Sequence, residues 1–189
     1  AFISIEDERF ETHPGIDMRR IFSAVVSALL NSGTPTHGGS TITQQTIKMV
    51  TGDDDISAQR KIQEWYKAIQ LERTMSKDAI MELYLNLVPM SNNYQGVQAA
   101  SKAFFNKDAK DLSLAECALL AGIPNRPATY NPMTEFGRRN CLRRMRLVLG
   151  IMLENGRISA DQYDEALNQE IVFDFSGQED REENIRSWY

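Results

Sequence analysis

The sequence has little that would support a disordered, fibrous or disulfide-stapled protein. Its 189 residues include 11 glycines, 6 prolines and 2 cysteines, too few for a collagen-like chain or a disulfide framework. Cys117 and Cys141 both lie in helix-like apolar patterns and are predicted to be buried free thiols, with a disulfide as the alternative. Because 42% of the residues are hydrophobic, the chain can form the core of one good-sized domain.

The chain also lacks an excess of positive charge and a long apolar run. Its net charge is −5, whereas proteins that bind duplex nucleic acid are usually basic, so no nucleic-acid partner is expected. The longest apolar stretch, Ile21–Leu30, has ten residues, and a membrane-spanning helix needs about 20. Since the sequence opens inside an apolar element at Ala1–Ile5 without an initiator Met, we interpret it as a fragment of a longer protein.

Apolar residues at spacings of three and four predict a mainly α fold. Capping boxes at Ser113 and Ser159 predict two helix starts, and only Ile171–Phe175 has a strand-like pattern. No alternation of strands and helices suggests a dinucleotide fold. The helix predicted at 58–74 has an apolar stripe of Ile62, Trp65, Tyr66 and Ile69. The other predicted helices include 18–30, 42–50, 77–88 and a long one with Leu142, Met145, Leu149 and Met152 that ends near Gly156.

A first candidate site lies in the segment EDERFETHPG, residues 6–15. Glu6 precedes a turn that contains His13 and Gly15, and a carboxylate in this setting is a candidate general base or acid. The alternative is a solvated acidic turn in which His13 holds the loop through a backbone hydrogen bond.

A second candidate site is the segment GGSTITQQTIK, residues 38–48. Gly38 and Gly39 precede Ser40, the expected N-cap, so free backbone N–H groups and the positive helix end could hold a phosphate. Lys48 follows Gln44 by four residues and shares its helix face. The segment is not a nucleotide P-loop, because the Gly-Lys-Ser/Thr ending is absent. The alternative is a capped helix without a ligand.

Two further polar clusters lie on predicted helices. Arg60 and Lys61 precede Glu64 by four and three residues, which places them on one face, opposite the apolar stripe; the alternative is a surface ion pair. Glu82 and Asn86 lie one turn apart on the 77–88 helix. As an alternative to a functional role, the two residues could be buried polar anchors with a purely structural role.

Taken in order, these segments resemble the signature of glycosyltransferase family 51. This family comprises the transglycosylase domains of class A penicillin-binding proteins and the monofunctional transglycosylases. The resemblance covers about residues 1–170, and its motifs are EDERFETHPG (6–15), GGSTITQQTIK (38–48), RKIQEWYKAIQLE (60–72) and KDAIMELYLN (77–86). The chain departs from the family at Ile56, where an Arg is usual, at Asn106, where a Gly is usual, and in Pro89–Asn93, where a Gly-rich turn is usual.

The resemblance implies a lysozyme-like globular lobe with a small apolar jaw that dips into the membrane. We expect the glycosyltransferase domain at residues 1–175, with the jaw at about 18–40, and a linker at 176–189 that leads to a transpeptidase domain. The expected location is the extracytoplasmic face of the bacterial cytoplasmic membrane, anchored by an N-terminal membrane helix outside this sequence.

The implied reaction polymerises lipid II into glycan strands by inverting transfer and releases undecaprenyl pyrophosphate. Glu6 matches the family's catalytic base, and Glu64 matches the second essential carboxylate, near the pyrophosphate. We expect the two to line one cleft without touching. The implied substrate-binding residues are Ser40, Gln44, Gln45, Lys48, Arg60, Lys61, Glu82 and Asn86, and the implied structural motif residues are Asp7, Phe10, His13, Gly38 and Gly39.

The resemblance implies no tightly bound cofactor, and it leaves open whether a divalent cation, magnesium or manganese, lies at the pyrophosphate near Glu64. The expected partners are lipid II, the growing glycan chain, the membrane and other cell-wall synthesis proteins. One rival function is a lysozyme-like hydrolase with Glu6 as general acid, which would not need the cations at Lys48, Arg60 and Lys61. A second rival is a helical interaction module without catalysis.

Overall fold

The computed structural model describes residues 1–30, 39–52, 55 and 57–176, with the backbone alone at Ala24, Val25 and 27–30. The described residues are mainly helical, which confirms the predicted class. They form no strand, and one isolated antiparallel bridge joins Pro89 and Gln95. The α-helices are α1 (Phe2–Glu6), α2 (Met18–Leu30), α3 (Ile42–Thr51), α4 (Ala58–Thr74), α5 (Lys77–Leu87), α6 (Val97–Phe105), α7 (Leu114–Gly122), α8 (Glu135–Glu154) and α9 (Ala160–Asn168), with short 3₁₀ helices at Ser91–Asn93 and Ala109–Asp111.

The chain divides into two compact units, a division that the sequence did not predict. One unit is Glu6–Leu87, and the other joins Ala1–Ile5 to Val88–Tyr189. The predicted linker lies almost wholly outside the described residues, which stop at Ser176. The domain bounds of 1–175 and the linker therefore stay predictions.

The Glu6–Leu87 unit is built around α3, which packs against α4 and α5. Its buried apolar side chains are few, and α3 itself buries mostly polar residues. Thr43, Gln44 and Thr46 lie beneath the surface beside Ile42. A buried polar group must find a hydrogen-bond partner inside the protein, so the side chains of this unit have to be placed by specific contacts.

The apolar stripe predicted on α4 does not form its buried side, although Trp65 and Ile69 are half-buried. Ile62 and Tyr66 are 63% and 65% exposed, whereas Glu64 is 5% exposed and Ala68 is fully buried. The polar face of α4 turns inward because Glu64 is neutralised there by neighbouring cations and amides. Hydrophobic periodicity therefore identifies this helix correctly but assigns its buried side incorrectly.

The second unit is organised around α7, which packs against α6, α8 and α9. Ala115, Ala118, Leu119 and Leu120 of α7 are all fully buried. The predicted capping boxes at Ser113 and Ser159 are confirmed, each with its serine hydroxyl accepting from the N–H three residues later. This unit owes its stability to close apolar packing.

Both cysteines are free thiols, as predicted. Cys141 is buried in α8, and its burial raises its pKa to about 12. Cys117 is half-buried, and burial also raises its pKa. Thiols with raised pKa values are poor nucleophiles, so neither is suited to catalysis.

The predicted strand at Ile171–Phe175 is wrong. Within the described ranges the segment belongs to no strand, and Asp174 N donates a backbone hydrogen bond to Phe104 O at 3.0 Å. Phe173 stacks on Phe105 with ring centroids 5.8 Å apart. Apolar alternation here serves to dock aromatic rings on the C-terminal end of α6.

The asparagines that depart from the family's glycines take backbone conformations that favour glycine. Asn92 and Asn93 have φ angles of 58° and 59°, and Asn106, which closes α6, has a φ of 51°. Asparagine tolerates this left-handed region better than other non-glycine residues. These departures therefore preserve the turns.

The jaw predicted at about 18–40 is described only in part. Its first element is α2, on which Met18 and Phe22 are 62% and 71% exposed. Residues 31–38, including Gly38, and Ile56 lie outside the described residues. None of the helices in the described ranges is long and apolar enough to cross a membrane. The jaw stays a prediction.

Candidate active site

Glu6 is the last residue of α1 and is held from two directions. Its carbonyl oxygen accepts a hydrogen bond from Arg20 Nη1, which fixes the backbone. Its carboxylate oxygen Oε2 accepts from Gln45 Nε2 of α3 at 3.2 Å. The half-buried carboxylate is therefore oriented by α3 while it keeps access to solvent.

The neighbouring Asp7 is part of a buried network that organises the loop after α1. Asp7 is 1% exposed, and its Oδ2 accepts from His13 Nε2 at 2.8 Å and from Ile42 N at 2.9 Å. Gly15 N donates to His13 Nδ1 at 3.1 Å, so Nδ1 is the acceptor and the proton lies on Nε2. A solvated acidic turn is thus wrong for Asp7, although His13 does hold the loop through a backbone group.

Gly15 lies where the loop passes against α4. Its φ is +95°, and a Cβ atom at this position would lie 2.6 Å from Ala68 O. Thr41 Oγ1 also donates to Gly15 O at 2.6 Å. A side chain is excluded here by both conformation and space, and the glycine therefore sets how closely Glu6 and His13 approach α3 and α4.

The N-cap of α3 is Thr41, not Ser40 as predicted. Thr41 Oγ1 accepts from Gln44 N at 3.1 Å, and Gln44 Oε1 accepts from Thr41 N at 2.8 Å, which completes a capping box. Ser40 lies one residue earlier, where its Oγ accepts from Lys61 Nζ at 3.0 Å. Gly39 precedes it as a half-buried residue. The helix start fixes Gln44 instead of displaying a free anion site.

Glu64 is a buried carboxylate that accepts hydrogen bonds from two cations and one amide. Arg60 Nη1 donates to Oε2 at 2.9 Å, Lys61 Nζ donates to Oε1, and Gln44 Nε2 donates to Oε1 at 3.2 Å. A surface ion pair is therefore wrong as a description of this cluster. A carboxylate that is 5% exposed needs such partners to stay charged.

Consecutive glutamines of α3 thus serve the two predicted catalytic carboxylates. Gln45 contacts Glu6, and Gln44 contacts Glu64. Among the described residues no hydrogen bond joins Glu6 directly to Glu64. α3 is consequently the element that carries a separate link to each carboxylate within the Glu6–Leu87 unit.

A shallow, open groove lies beside Glu64, between α3 and α4. Lys48 and Arg60, both predicted to bind substrate, line it. Gln63 and Lys67, which the sequence reasoning did not single out, line it as well. The helical spacing of Lys67, seven residues after Arg60, is a signal that could have found it. The remaining lining residues are Ile47, Thr51 and Glu64.

Glu82 and Asn86 are not buried polar anchors. Both side chains are exposed, and Asn86 Nδ2 donates to Glu82 O within α5 at 2.9 Å. Their predicted role in substrate binding has no supporting contact to the carboxylates among the described residues, and it stays a prediction.

Three charged residues near Glu6 that the sequence analysis did not single out, Arg9, Asp17 and Arg20, also belong to the site. Arg9 makes a two-point ion pair with Asp17, with Nε–Oδ2 and Nη2–Oδ1 distances of 2.8 Å. Burial would raise the pKa of Asp17, but hydrogen bonds from Arg20 N and the Arg9 guanidinium outweigh it and hold this pKa below its usual value. Arg20 also lies 3.7 Å from Asp7 Oδ1. These contacts join residues across a turn, which helical periodicity does not indicate.

Lys77 and Glu72 close the network from α5 and α4. Lys77 Nζ donates to His13 O at 2.7 Å and to Glu72 Oε1 at 2.8 Å. It also lies 4.5 Å from the ring centre of the buried Phe10. Glu72 lies in the motif segment 60–72 and Lys77 in the segment 77–86. The sequence analysis assigned neither residue a role. Together they hold the loop that follows Glu6, through the contact of Lys77 with His13.

The sequence analysis left open a divalent cation near Glu64. No group of three or more carboxylate, histidine or cysteine side chains suited to a metal ion occurs in the described part of the chain. Both Glu64 oxygens already accept from cations. The divalent cation left open above therefore stays a prediction.

The sequence and the helical fold of this chain match known proteins. The family model described as Transglycosylase matches residues 1–153. Penicillin-binding protein 1A of Clostridium botulinum is 43% identical over 183 residues, which cover 92% of this chain and 22% of that protein. Penicillin-binding protein 1A of Aquifex aeolicus is 43% identical, with 91% of this chain and 23% of that protein covered.

A solved structure agrees with these matches. The crystal structure of penicillin-binding protein 1A from Haemophilus influenzae is 33% identical with a TM-score of 0.50, and the match covers 60% of this chain and 18% of that one.

The fold and the sequence matches define an enzyme of the peptidoglycan glycosyltransferase class. The chain belongs to the transglycosylase family. This confirms the family and the enzyme class that the sequence predicted. The chain spans between a fifth and about a quarter of the length of the relatives it matches.

Proposed function

We propose that this chain polymerises lipid II into glycan strands, with Glu6 as general base and Glu64 at the donor pyrophosphate. The observation that carries the proposal is the pairing on α3, where Gln45 and Gln44 position Glu6 and Glu64 respectively. Two carboxylates held in different surroundings by one helix are suited to two different roles.

Glu6 takes the proton from the 4-hydroxyl of the acceptor's GlcNAc. As the O–H bond breaks, that oxygen forms a bond to C1 of the donor MurNAc, and the bond from C1 to the phosphate oxygen breaks with inversion. Because Gln45 Nε2 already donates a hydrogen bond to Oε2 of Glu6, we assign acceptance of the proton to the other carboxylate oxygen, Oε1. A carboxylate in this position needs hydrogen-bond reach to the hydroxyl and solvent access, both of which a half-buried side chain allows.

The cations near Glu64 stabilise the departing pyrophosphate. Arg60 and Lys61 both contact Glu64, and Arg60 and Glu64 line the groove together with Lys48. Glu64 keeps the two cations in place, and they supply charge where negative charge develops. A pyrophosphate needs no proton to leave, so one general base is sufficient, and no step is assigned to a divalent cation.

The rival functions fit the geometry less well. A hydrolase of an uncharged glycosidic bond requires a general acid and a second carboxylate, but no cationic groove. An interaction module without catalysis would not require a half-buried carboxylate oriented by a glutamine. The local excess of cations in a chain of net charge −5 supports a phosphate-bearing substrate.

The setting that we propose follows from the family and the relatives. The domain acts at the extracytoplasmic face of the cytoplasmic membrane, next to a transpeptidase domain in the full-length protein. Its partners are lipid II, the growing glycan chain, the membrane and other cell-wall synthesis proteins.

The direct experiment incubates the full-length protein in detergent with radiolabelled lipid II and separates the products by size. We expect glycan polymers that muramidase digests to disaccharides. Release of disaccharide from preformed glycan without polymer formation would favour the hydrolase. Binding of lipid II without either product would favour the interaction module.

A further inference from the structure

Lys67 is a cation of the groove that the site described so far does not use. It lies on α4, seven residues after Arg60, and lines the groove together with Arg60, Gln63 and Glu64. Its side chain is exposed, and it forms no ion pair or hydrogen bond with the residues that the structure describes. By contrast, Lys61 donates both to Glu64 and to Ser40.

The groove has a local excess of positive charge. Its lining residues include three cations, Lys48, Arg60 and Lys67, and one carboxylate, Glu64. That carboxylate already accepts from Arg60 and from Lys61. Lys67 is therefore not required to neutralise it, and its charge faces the groove without a protein counter-charge among the described residues.

The spacing along α4 indicates how long an anion must be to contact both Arg60 and Lys67. Seven helical residues separate Arg60 from Lys67 by about 10 Å along the helix axis. This span exceeds one phosphate group and suits two linked phosphates or a phosphate with an adjoining sugar. The hydrophobic Ile47 and the hydroxyl of Thr51 complete the opposite wall.

We propose that Lys67 is a substrate-binding residue that contacts the phosphate groups of the donor's leaving group. The inference rests on the proposed function, because it takes the phosphate-bearing donor as the ligand. Lys67 extends the cationic lining of the groove along α4 to the side of Glu64 opposite Arg60. It acts by binding, so it should affect donor affinity and leave the chemical step unchanged.

The test compares Lys67→Gln and Lys67→Arg with the wild-type full-length protein in detergent. The matched control is Arg73→Gln, which removes an exposed cation of the same helix that does not line the groove. We expect Lys67→Gln to raise the KM for lipid II about fivefold at low salt, the effect of one partly exposed charge contact, with kcat retained. Lys67→Arg should keep the wild-type KM because it retains the positive charge, and Arg73→Gln should also keep the wild-type KM.

Two further arms identify the ligand. Inorganic pyrophosphate should inhibit wild type more strongly than Lys67→Gln, and the difference should disappear at high salt, since the contact is electrostatic. Sedimentation with phosphatidylglycerol vesicles should be the same for both proteins. Lower vesicle binding by Lys67→Gln with an unchanged KM would overturn the proposal in favour of a lipid headgroup.

The outcomes separate this inference from the proposed function. If wild type makes polymer and Lys67→Gln has an unchanged KM and unchanged pyrophosphate inhibition, Lys67 is not a donor contact, although the proposed function stands. If wild type makes no polymer, calorimetric binding of pyrophosphate becomes the readout. Weaker binding by Lys67→Gln would then support a phosphate site at Lys67, and equal binding would overturn it.

Discussion

The two units of this chain stabilise themselves by different means. The unit that contains α7 buries mainly apolar side chains, among them Leu119, Leu120 and Leu149, each fully buried. Its buried polar side chains in the described ranges are Ser4, Ser91, Ser101 and Glu116. The Glu6–Leu87 unit instead buries many polar side chains. They are Asp7, His13, Asp17, Thr41, Thr43, Gln44, Thr46 and Glu64.

The difference shows where the chemistry of the domain is placed. Apolar packing is non-directional and tolerates changes of similar volume. A buried hydrogen-bond network fixes each member relative to the others, and a missing partner is costly. The residues that orient Glu6 and Glu64 therefore belong to the polar unit, where geometry is specified by donors and acceptors.

A large effect, second to that of Glu6→Gln, is expected from Glu64→Gln in the polar unit. The amide cannot hold Arg60 and Lys61 as the carboxylate does, so the cations are no longer positioned for the leaving group. We expect polymerisation to fall by about 100-fold or more, a typical loss when one electrostatic stabiliser is removed. The rate of lipid II polymerisation under saturating substrate measures it.

The control for this variant is Glu165→Gln, which neutralises an exposed carboxylate on α9 of the other unit. It should retain wild-type activity. Full activity in Glu64→Gln would instead make Glu64 a mere ion-pair partner of Arg60, without a role in the reaction.

The reverse pattern is expected from Leu119→Ala in the apolar unit. Leu119 is fully buried in α7, and truncation of such a side chain typically lowers the free energy of unfolding by about 2–5 kcal/mol. Activity per folded molecule should stay unchanged, because no site residue is touched. Urea unfolding and activity assays below the unfolding transition measure the two quantities.

Leu147→Ala is the matched control for the apolar unit, since Leu147 is 48% exposed on α8. It should change the free energy of unfolding by less than about 1 kcal/mol. Equal destabilisation by the two variants would show that burial of α7 does not account for the stability of this unit.

A smaller, pH-dependent effect is expected from Asp17→Asn. The pKa of Asp17 is lowered in the folded state, so its ion pair with Arg9 contributes stability above the unfolded pKa of about 3.9 and loses it as pH falls through the folded value. We expect the variant to be about 1–2 kcal/mol less stable at pH 7. The difference should shrink below about pH 4, as followed by thermal unfolding at several pH values.

Asp164→Asn, at an exposed position of α9, should show no such pH-dependent difference from wild type. A difference for Asp17→Asn that stays constant down to pH 2 would mean that its effect does not depend on the carboxylate charge.

Much of the fold follows from the sequence, because helix periods and capping boxes are local signals. The bounds of α4 and the starts of α7 and α9 agree closely with the predicted ones. The sequence failed where a tertiary contact outweighs the local pattern. Ile62 and Tyr66 face solvent because the neutralised Glu64 takes the buried side of α4.

The candidate site divides in the same way. Motif order identified Glu6, Glu64 and the cations, and the structure places them around α3. The supporting contacts could not be read from spacing, because they join distant residues, such as Lys77 with His13 and Thr41 with Gly15. The choice of Thr41 over Ser40 as N-cap also depended on Lys61 engaging the Ser40 hydroxyl.

The measurement that tests the account most directly is polymerisation by Glu6→Gln, with Glu8→Gln as the control at an exposed carboxylate two residues away. The amide keeps the size of the side chain and can still contact Gln45, but it cannot accept the proton of the 4-hydroxyl. We predict no polymer from Glu6→Gln, wild-type activity from Glu8→Gln, and unfolding free energies within about 0.5 kcal/mol of wild type for both. Glycan synthesis by a folded Glu6→Gln protein at close to the wild-type rate would contradict the assignment of Glu6 as the base.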